Sequence, residues 1–284
     1  MNLRKLGMGI LFFWAAWTAV GTAQHLSPVR ASEPVFRVPE SVYYDAGSGR
    51  VFISNINGKP AEKNGQGFIS QMTPNGKIIK LKWVTGLDAP KGIDVFKGRL
   101  FVSDIDRLRV VSISKGEIVK TVVAANARFL NDVAVDERGM VYVSDMSGSN
   151  SAIYRYDGKT MTPWLTGAEI KSPNGLFYHD GILYVGNSGD GAIKAVDVRT
   201  KKIRVVANVG HGIDGLIRLQ NGDFIISDWS GKIEYVTKEG KVTVLLNTTD
   251  KKINAADLGF VPEQSLVLVP TFFDNRVTAY RLKK

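Results

Sequence analysis

Residues 173–196 read PNGLFYHDGILYVGNSGDGAIKAV. An Asn-Gly pair leads into the short apolar run Leu176–Tyr178, and His179-Asp180-Gly181 ends it. A second run, Ile182–Val185, is closed by Asn187-Ser188-Gly189-Asp190-Gly191, and a third begins at Ala192. Short apolar runs bounded by Gly, Asn and Asp are the signature of antiparallel strands joined by tight turns.

The same design recurs outward in both directions. The related segments are ESVYYDAGSGRVFISNI from Glu40, KGIDVFKGRLFVSDI from Lys91, NDVAVDERGMVYVSDM from Asn131 and NGLFYHDGILYVGNS from Asn174. DGLIRLQNGDFIISDW from Asp214 and ADLGFVPEQSLVLVPT from Ala256 complete the set, at intervals of 51, 40, 43, 40 and 42 residues. Each unit has room for four strands; in the second they are predicted near Gly92–Val95, Leu100–Ser103, Arg107–Ser114 and Glu117–Val123. Four strands at a period near forty predict an all-β chain, a six-bladed β-propeller of four-stranded antiparallel blades. The last unit holds only three strands before the chain ends, so an N-terminal strand is expected to complete it and cover the open sheet edge. Residues 34–38 are the segment expected to do so, within a propeller spanning 34–284, with 24–33 as an exposed leader.

Residues 1–23 carry Arg4 and Lys5, a mostly apolar stretch from Leu6 to Val20, and the small residues Gly21-Thr22-Ala23. That pattern predicts a cleaved signal peptide and an exported protein, periplasmic or secreted, with no membrane association after cleavage. The net charge of +10 becomes +8 once Arg4 and Lys5 are removed, 10 − 2. The basic residues are scattered, the densest group being Arg199, Lys201, Lys202 and Arg204, so a solvated surface is expected and nucleic acid is not. The sequence has no cysteine, which excludes a thiol nucleophile, a lipoprotein anchor and a disulfide scaffold.

The recurring pairs Ser54-Asn55, Ser103-Asp104, Ser144-Asp145 and Ser227-Asp228, with Asn187 in the fourth unit, end the second strands. They read as turn-forming residues that each blade needs equally. The first residue of each unit is different in kind: Glu40, Lys91, Asn131, Asn174, Asp214 and Ala256. In a propeller these positions surround one mouth of the central channel. Glu40, Asn131, Asn174 and Asp214 offer hard oxygen donors, the set a divalent cation such as Ca²⁺ takes. Without cysteine and with three histidines, a zinc site is not expected.

These residues resemble the senescence marker protein/gluconolactonase (regucalcin-like) family across all six repeats. In that family a divalent cation, often Ca²⁺, sits in the channel on a Glu, two Asn and an Asp. The resemblance carries those roles to Glu40 in PESVYYD, Asn131 in FLNDVAVD, Asn174 in SPNGLFY and Asp214 in GIDGLI. The family's Glu-Gly-Pro is Glu40-Ser41-Val42 here, and the proton-transfer histidine of paraoxonase-like relatives is replaced in Pro90-Lys91-Gly92-Ile93. Lys91 is therefore a candidate base or an anchor for an anionic substrate, and Asp132 and Asp257 are spare carboxylates beside the ring. His211 is placed at the same mouth, and residues 57–66 form a long loop able to cover it. Trp229, Phe272 and Phe273 are candidate wall residues.

The function expected is cation-dependent hydrolysis of a small lactone or ester by a monomeric exported enzyme. The alternative is a non-catalytic propeller of the NHL type that binds a small ligand or a protein partner.

Overall fold

The computed structural model describes residues 24–148 and 151–283. The sequence-predicted signal segment, 1–23, lies outside the described residues. Six antiparallel four-stranded sheets are present, each a blade. Blade 1 is built from Pro39–Asp45, Arg50–Asn55, Gly67–Met72 and Ile78–Leu87, paired in chain order. Blades 2 to 5 repeat that order, with innermost strands Pro90–Phe96, Leu130–Val135, Pro173–His179 and Leu216–Arg218. Blade 6 supplies Gly259–Val261, Leu266–Pro270 and Val277–Lys283 from the chain's end. The sequence reading of a closed six-bladed ring is borne out.

The closing strand differs from the expected one. His25–Ala31 pairs antiparallel with Val277–Lys283, from His25 opposite Lys283 to Ala31 opposite Thr278. The segment expected as an exposed leader is thus the outer strand of blade 6, and residues 34–38 are the connector into blade 1. An outermost strand packs few side chains, and His25–Ala31 accordingly has one fully buried residue, Leu26. The apolar Val35, Phe36 and Val38 attract a strand reading, but Phe36 is instead buried between blades 6 and 1, against Val42, Leu268 and Ala279.

Apolar clusters fill the interfaces between neighbouring blades, for example Phe52, Val84, Ile93 and Val102 between blades 1 and 2. Near the axis the innermost strands approach closely. A Cβ at Gly92 would lie 2.4 Å from the Asp132 backbone, and one at Gly175 would lie 2.4 Å from the Asp214 carbonyl oxygen. Each glycine follows a ring residue, so the absent side chain is what lets successive ring residues crowd together.

Candidate cation and substrate site at the channel mouth

The repeated Ser-Asp and Ser-Asn pairs hold the ring in place. The Asn55 carboxamide oxygen accepts the Arg37 N–H at 3.0 Å, Asp104 accepts the Ala89 N–H at 2.8 Å, and Asp145 accepts the Phe129 N–H at 3.1 Å. Asn187 accepts the Lys171 N–H at 3.1 Å. Each of these four side chains thereby fixes the backbone that leads into its own blade's ring residue. The serines fix the backbone just beyond: Ser54, Ser144 and Ser227 accept the N–H groups of Ser41, Asp132 and Gly215 at 2.9, 2.8 and 2.8 Å. One turn chemistry, repeated in blades 1 to 4, thus presents Glu40, Lys91, Asn131 and Asn174 around the axis, whereas Asp228 of blade 5 accepts from Ser230 instead.

Five of the seven sequence-predicted site residues share one cavity of about 550 Å³ at this mouth: Glu40, Lys91, Asn131, Asn174 and Asp214. All five are buried. Glu40 Oε2 and Asp214 Oδ1 have no hydrogen-bond partner, an expensive condition for buried carboxylate oxygens. Asn174 hydrogen-bonds the Asp214 carboxylate. Asn131 donates its amide nitrogen to Met146 Sδ at 2.9 Å, which leaves its amide oxygen as the group to offer. Two orphaned carboxylate oxygens beside two amides fit an oxygen-coordinated dication. Among the described residues there is no metal-type cluster of three or more His, Cys, Asp or Glu side chains; two of the four oxygen donors here are amides.

The electrostatics carry the same message. Burial, then Asp214 and Asp257, push the Glu40 carboxyl well above the usual carboxylate range, and Lys91 acts in the opposite sense. Burial, then Asp257 and Asp228, raise Asp214 to about 8. Burial lowers the Lys91 ammonium to about 8, against the pull of Glu40 and Asp104. Its Nζ donates to the carbonyl oxygens of Pro60 at 2.8 Å and Ala89 at 3.0 Å and lies 4.6 Å from the Phe129 ring centroid. The Pro60 contact fastens loop 57–66 over the mouth, and Lys63 pairs with Asp106 at 2.5 Å on its outer side.

Asp132 and Asp257 are placed elsewhere. Both line the cavity at the other end of the channel, with Tyr43, Asp94, Tyr178 and Arg218. Asp132 accepts the N–H groups of Val133 at 2.7 Å and Leu176 at 2.5 Å, and Asp257 accepts the Ser41 hydroxyl at 2.5 Å. Their oxygens stitch blade 3 to blade 4 and blade 6 to blade 1. His211 is held by Glu234 at 2.9 Å and stands 3.7 Å from Asp228, which itself lines the mouth.

Trp229, Phe272 and Phe273 line the mouth as expected, and so do Ile56, Phe129, Met146 and Ile213, which the ring column does not single out. A signal for part of that wall exists in the repeat. The residue after each second-strand pair is Ile56, Ile105, Met146, Ser188, Trp229 and Phe272, a second column lying one turn outside the ring. All but Ile105 line the cavity.

Comparisons with known proteins agree with this architecture. No curated protein matches the sequence. Among solved structures, a streptogramin B lyase superposes with TM-score 0.65 at 12% identity, covering 92% of this chain and 98% of that one. A nidogen/laminin complex matches with TM-score 0.64 at 16% identity over 78% of this chain and 84% of that one. The WD40 β-propeller domain of Doa1 gives TM-score 0.64 at 17% identity over 86% and 78%. At such identities these three establish the propeller fold alone. The family profile described as "SMP-30/Gluconolactonase/LRE-like region" matches residues 38–256, which hold five whole blades and all six ring positions. On that match, the chain belongs to the SMP-30/gluconolactonase/LRE-like family.

Proposed function

We propose that the protein is an exported, cation-dependent hydrolase of small lactones or esters. The observation that carries this reading is the pair of buried, partnerless carboxylate oxygens on Glu40 and Asp214, facing one walled cavity with two amides and one lysine. A site that leaves such oxygens unsatisfied is organised for a ligand that completes them. Glu40, Asn131, Asn174 and Asp214 would hold a divalent cation, and the all-oxygen donor set suits Ca²⁺. When bound, such an ion polarises a carbonyl and stabilises negative charge developing on its oxygen.

The chain's own residues do the rest. Two of the three Lys91 ammonium protons are committed to the Pro60 and Ala89 carbonyls, which fixes Nζ in place. A group lowered to about 8 exchanges its third proton near neutral pH, so Lys91 can take the proton of a water that attacks the carbonyl carbon. The acyl–oxygen bond then breaks, and the leaving alkoxide takes that proton back from Lys91. Loop 57–66 and the aromatic wall keep bulk water from the reacting group. Asp132 and Asp257 are not assigned as bases, because they line the opposite cavity, where Val133 and Leu176 fill Asp132 and Ser41 of the next blade holds Asp257.

The test is a panel of lactones and esters assayed with the mature chain in Ca²⁺ and in chelator. Turnover that disappears with chelation and returns with Ca²⁺ is expected. Saturable Ca²⁺ binding with no turnover across the panel would leave the non-catalytic propeller as the better reading.

A further inference from the structure

Apart from Ser188 and Asp228, the polar side chains of the mouth cavity lie at its floor. Its walls carry Trp229, Phe272 and Phe273, which meet edge to face: Phe272 and Phe273 at 4.8 Å between centroids, Trp229 and Phe272 at 5.5 Å, Trp229 and Phe273 at 6.0 Å. Two of these are open to solvent, Trp229 at 43% and Phe273 at 62%. Contiguous exposed aromatics above a polar floor mark a binding surface. The wall is also rigidly built. Phe272 holds a left-handed backbone at φ 49°, which a bulky side chain rarely adopts. Its loop is pinned by the Asn275 side chain, which accepts the Val38 N–H at 2.9 Å, and by Thr271 Oγ1, which accepts the Arg276 N–H at 2.9 Å.

In the cation-loaded site the ion would take the free oxygens of Glu40, Asp214 and Asn131, and most of the remaining polar groups of the floor are already committed. Lys91 donates to two carbonyls, the Asn131 amide nitrogen to Met146, and Asn174 bonds Asp214. A polyhydroxylated ligand would therefore bury hydroxyls against aromatic walls that have no partner to give them, which opposes binding. A ligand with one carbonyl end and an apolar body meets no such cost.

We propose that this site takes lactones or esters bearing an alkyl tail or aromatic ring in preference to sugar lactones, with the apolar body against Trp229, Phe272 and Phe273 and the carbonyl toward Glu40 and Asp214. The inference rests on the hydrolase reading for the orientation of the carbonyl, but binding tests it without turnover. The probes are hydrolysis-resistant lactams: δ-valerolactams with successively longer alkyl tails, and the lactam of gluconic acid, titrated calorimetrically into the Ca²⁺-loaded chain. Affinity is expected to rise up to about fourfold per added methylene, while the sugar lactam binds more weakly than any tailed probe. Phe273→Ser, at an exposed position that no blade core uses, is expected to flatten that rise. A flat series in the wild-type chain, or a sugar lactam that binds as tightly as the longest tail, overturns the inference. A steep series from a chain that hydrolyses no lactone keeps the ligand class and removes the hydrolase reading. Sugar-lactone turnover with a flat series does the reverse.

Discussion

The two ends of the channel are built from the same six innermost strands and use buried carboxylates in opposite ways. At the far end, Asp94 accepts the N–H groups of Val95 at 2.6 Å and Val135 at 2.7 Å, and Asp132 is likewise filled by Val133 and Leu176. Both carboxylates tie one blade to the next. At the mouth, Glu40 and Asp214 each keep an oxygen with no partner. Asn131 and Asp132 are adjacent in the chain, yet Asn131 lines the mouth and Asp132 the opposite cavity, at a point where the strand's register is interrupted between Leu130 and Val133. Burial alone therefore does not mark a site; burial without satisfaction does.

Four measurements break or sharpen that contrast. The largest effect is expected for Lys91→Met, which keeps the aliphatic stem and deletes the amine. If Lys91 carries the proton, turnover falls by about 10²–10⁴-fold with cation affinity little changed. A change confined to KM and salt dependence would assign Lys91 to substrate binding instead.

Asp132→Ala at the far end leaves two buried N–H groups without an acceptor, each costing about 1–3 kcal/mol. Thermal unfolding should show a lower Tm but an undiminished rise on adding Ca²⁺. Asp214→Ala at the mouth should do the converse. It is expected to erase the Ca²⁺-dependent stabilisation, which for the wild-type chain is about 2.7 kcal/mol at a hundred times the Kd. If Asp132→Ala also loses the Ca²⁺ response, the division of labour between the two ends is wrong.

The fourth measurement is the pH dependence of stability. Without a cation, Asp214 is raised from 3.8 to about 8 and Asp257 from 3.8 to about 7, in both cases chiefly by burial. An acid whose folded pKa exceeds its unfolded value stabilises the fold fully below the unfolded value, and that contribution is lost as pH rises through the folded value. The chelated protein should therefore lose stability between about pH 4 and pH 8. Ca²⁺ should offset the loss at the upper end, where its affinity is greatest because fewer protons compete for the ring. Denaturant midpoints at several pH values, with chelator and with Ca²⁺, read both trends. A chelated chain whose stability rises from pH 5 to pH 8 would contradict the mouth electrostatics.

What the sequence determined by itself is the part that repeats. A period of four strands, restarted at Glu40, Lys91, Asn131, Asn174, Asp214 and Ala256, is legible because every blade needs the same turns and the same buried faces. The ring column is legible for the same reason: equal positions in a closed array must lie at equal heights, and these six differ where turn chemistry does not require it. Tertiary structure decided what does not repeat. His25–Ala31 closes the ring with almost no apolar signature, because an outermost strand is held by backbone hydrogen bonds and one buried side chain, Leu26. The commitment of Asp132 and Asp257 to neighbouring blades, and the freedom of one oxygen on Glu40 and on Asp214, depend on which donor from another blade, a backbone N–H or a hydroxyl, arrives within reach. That is set by the packing of strands 44 and 216 residues apart, and a carboxylate's residue type alone does not encode it.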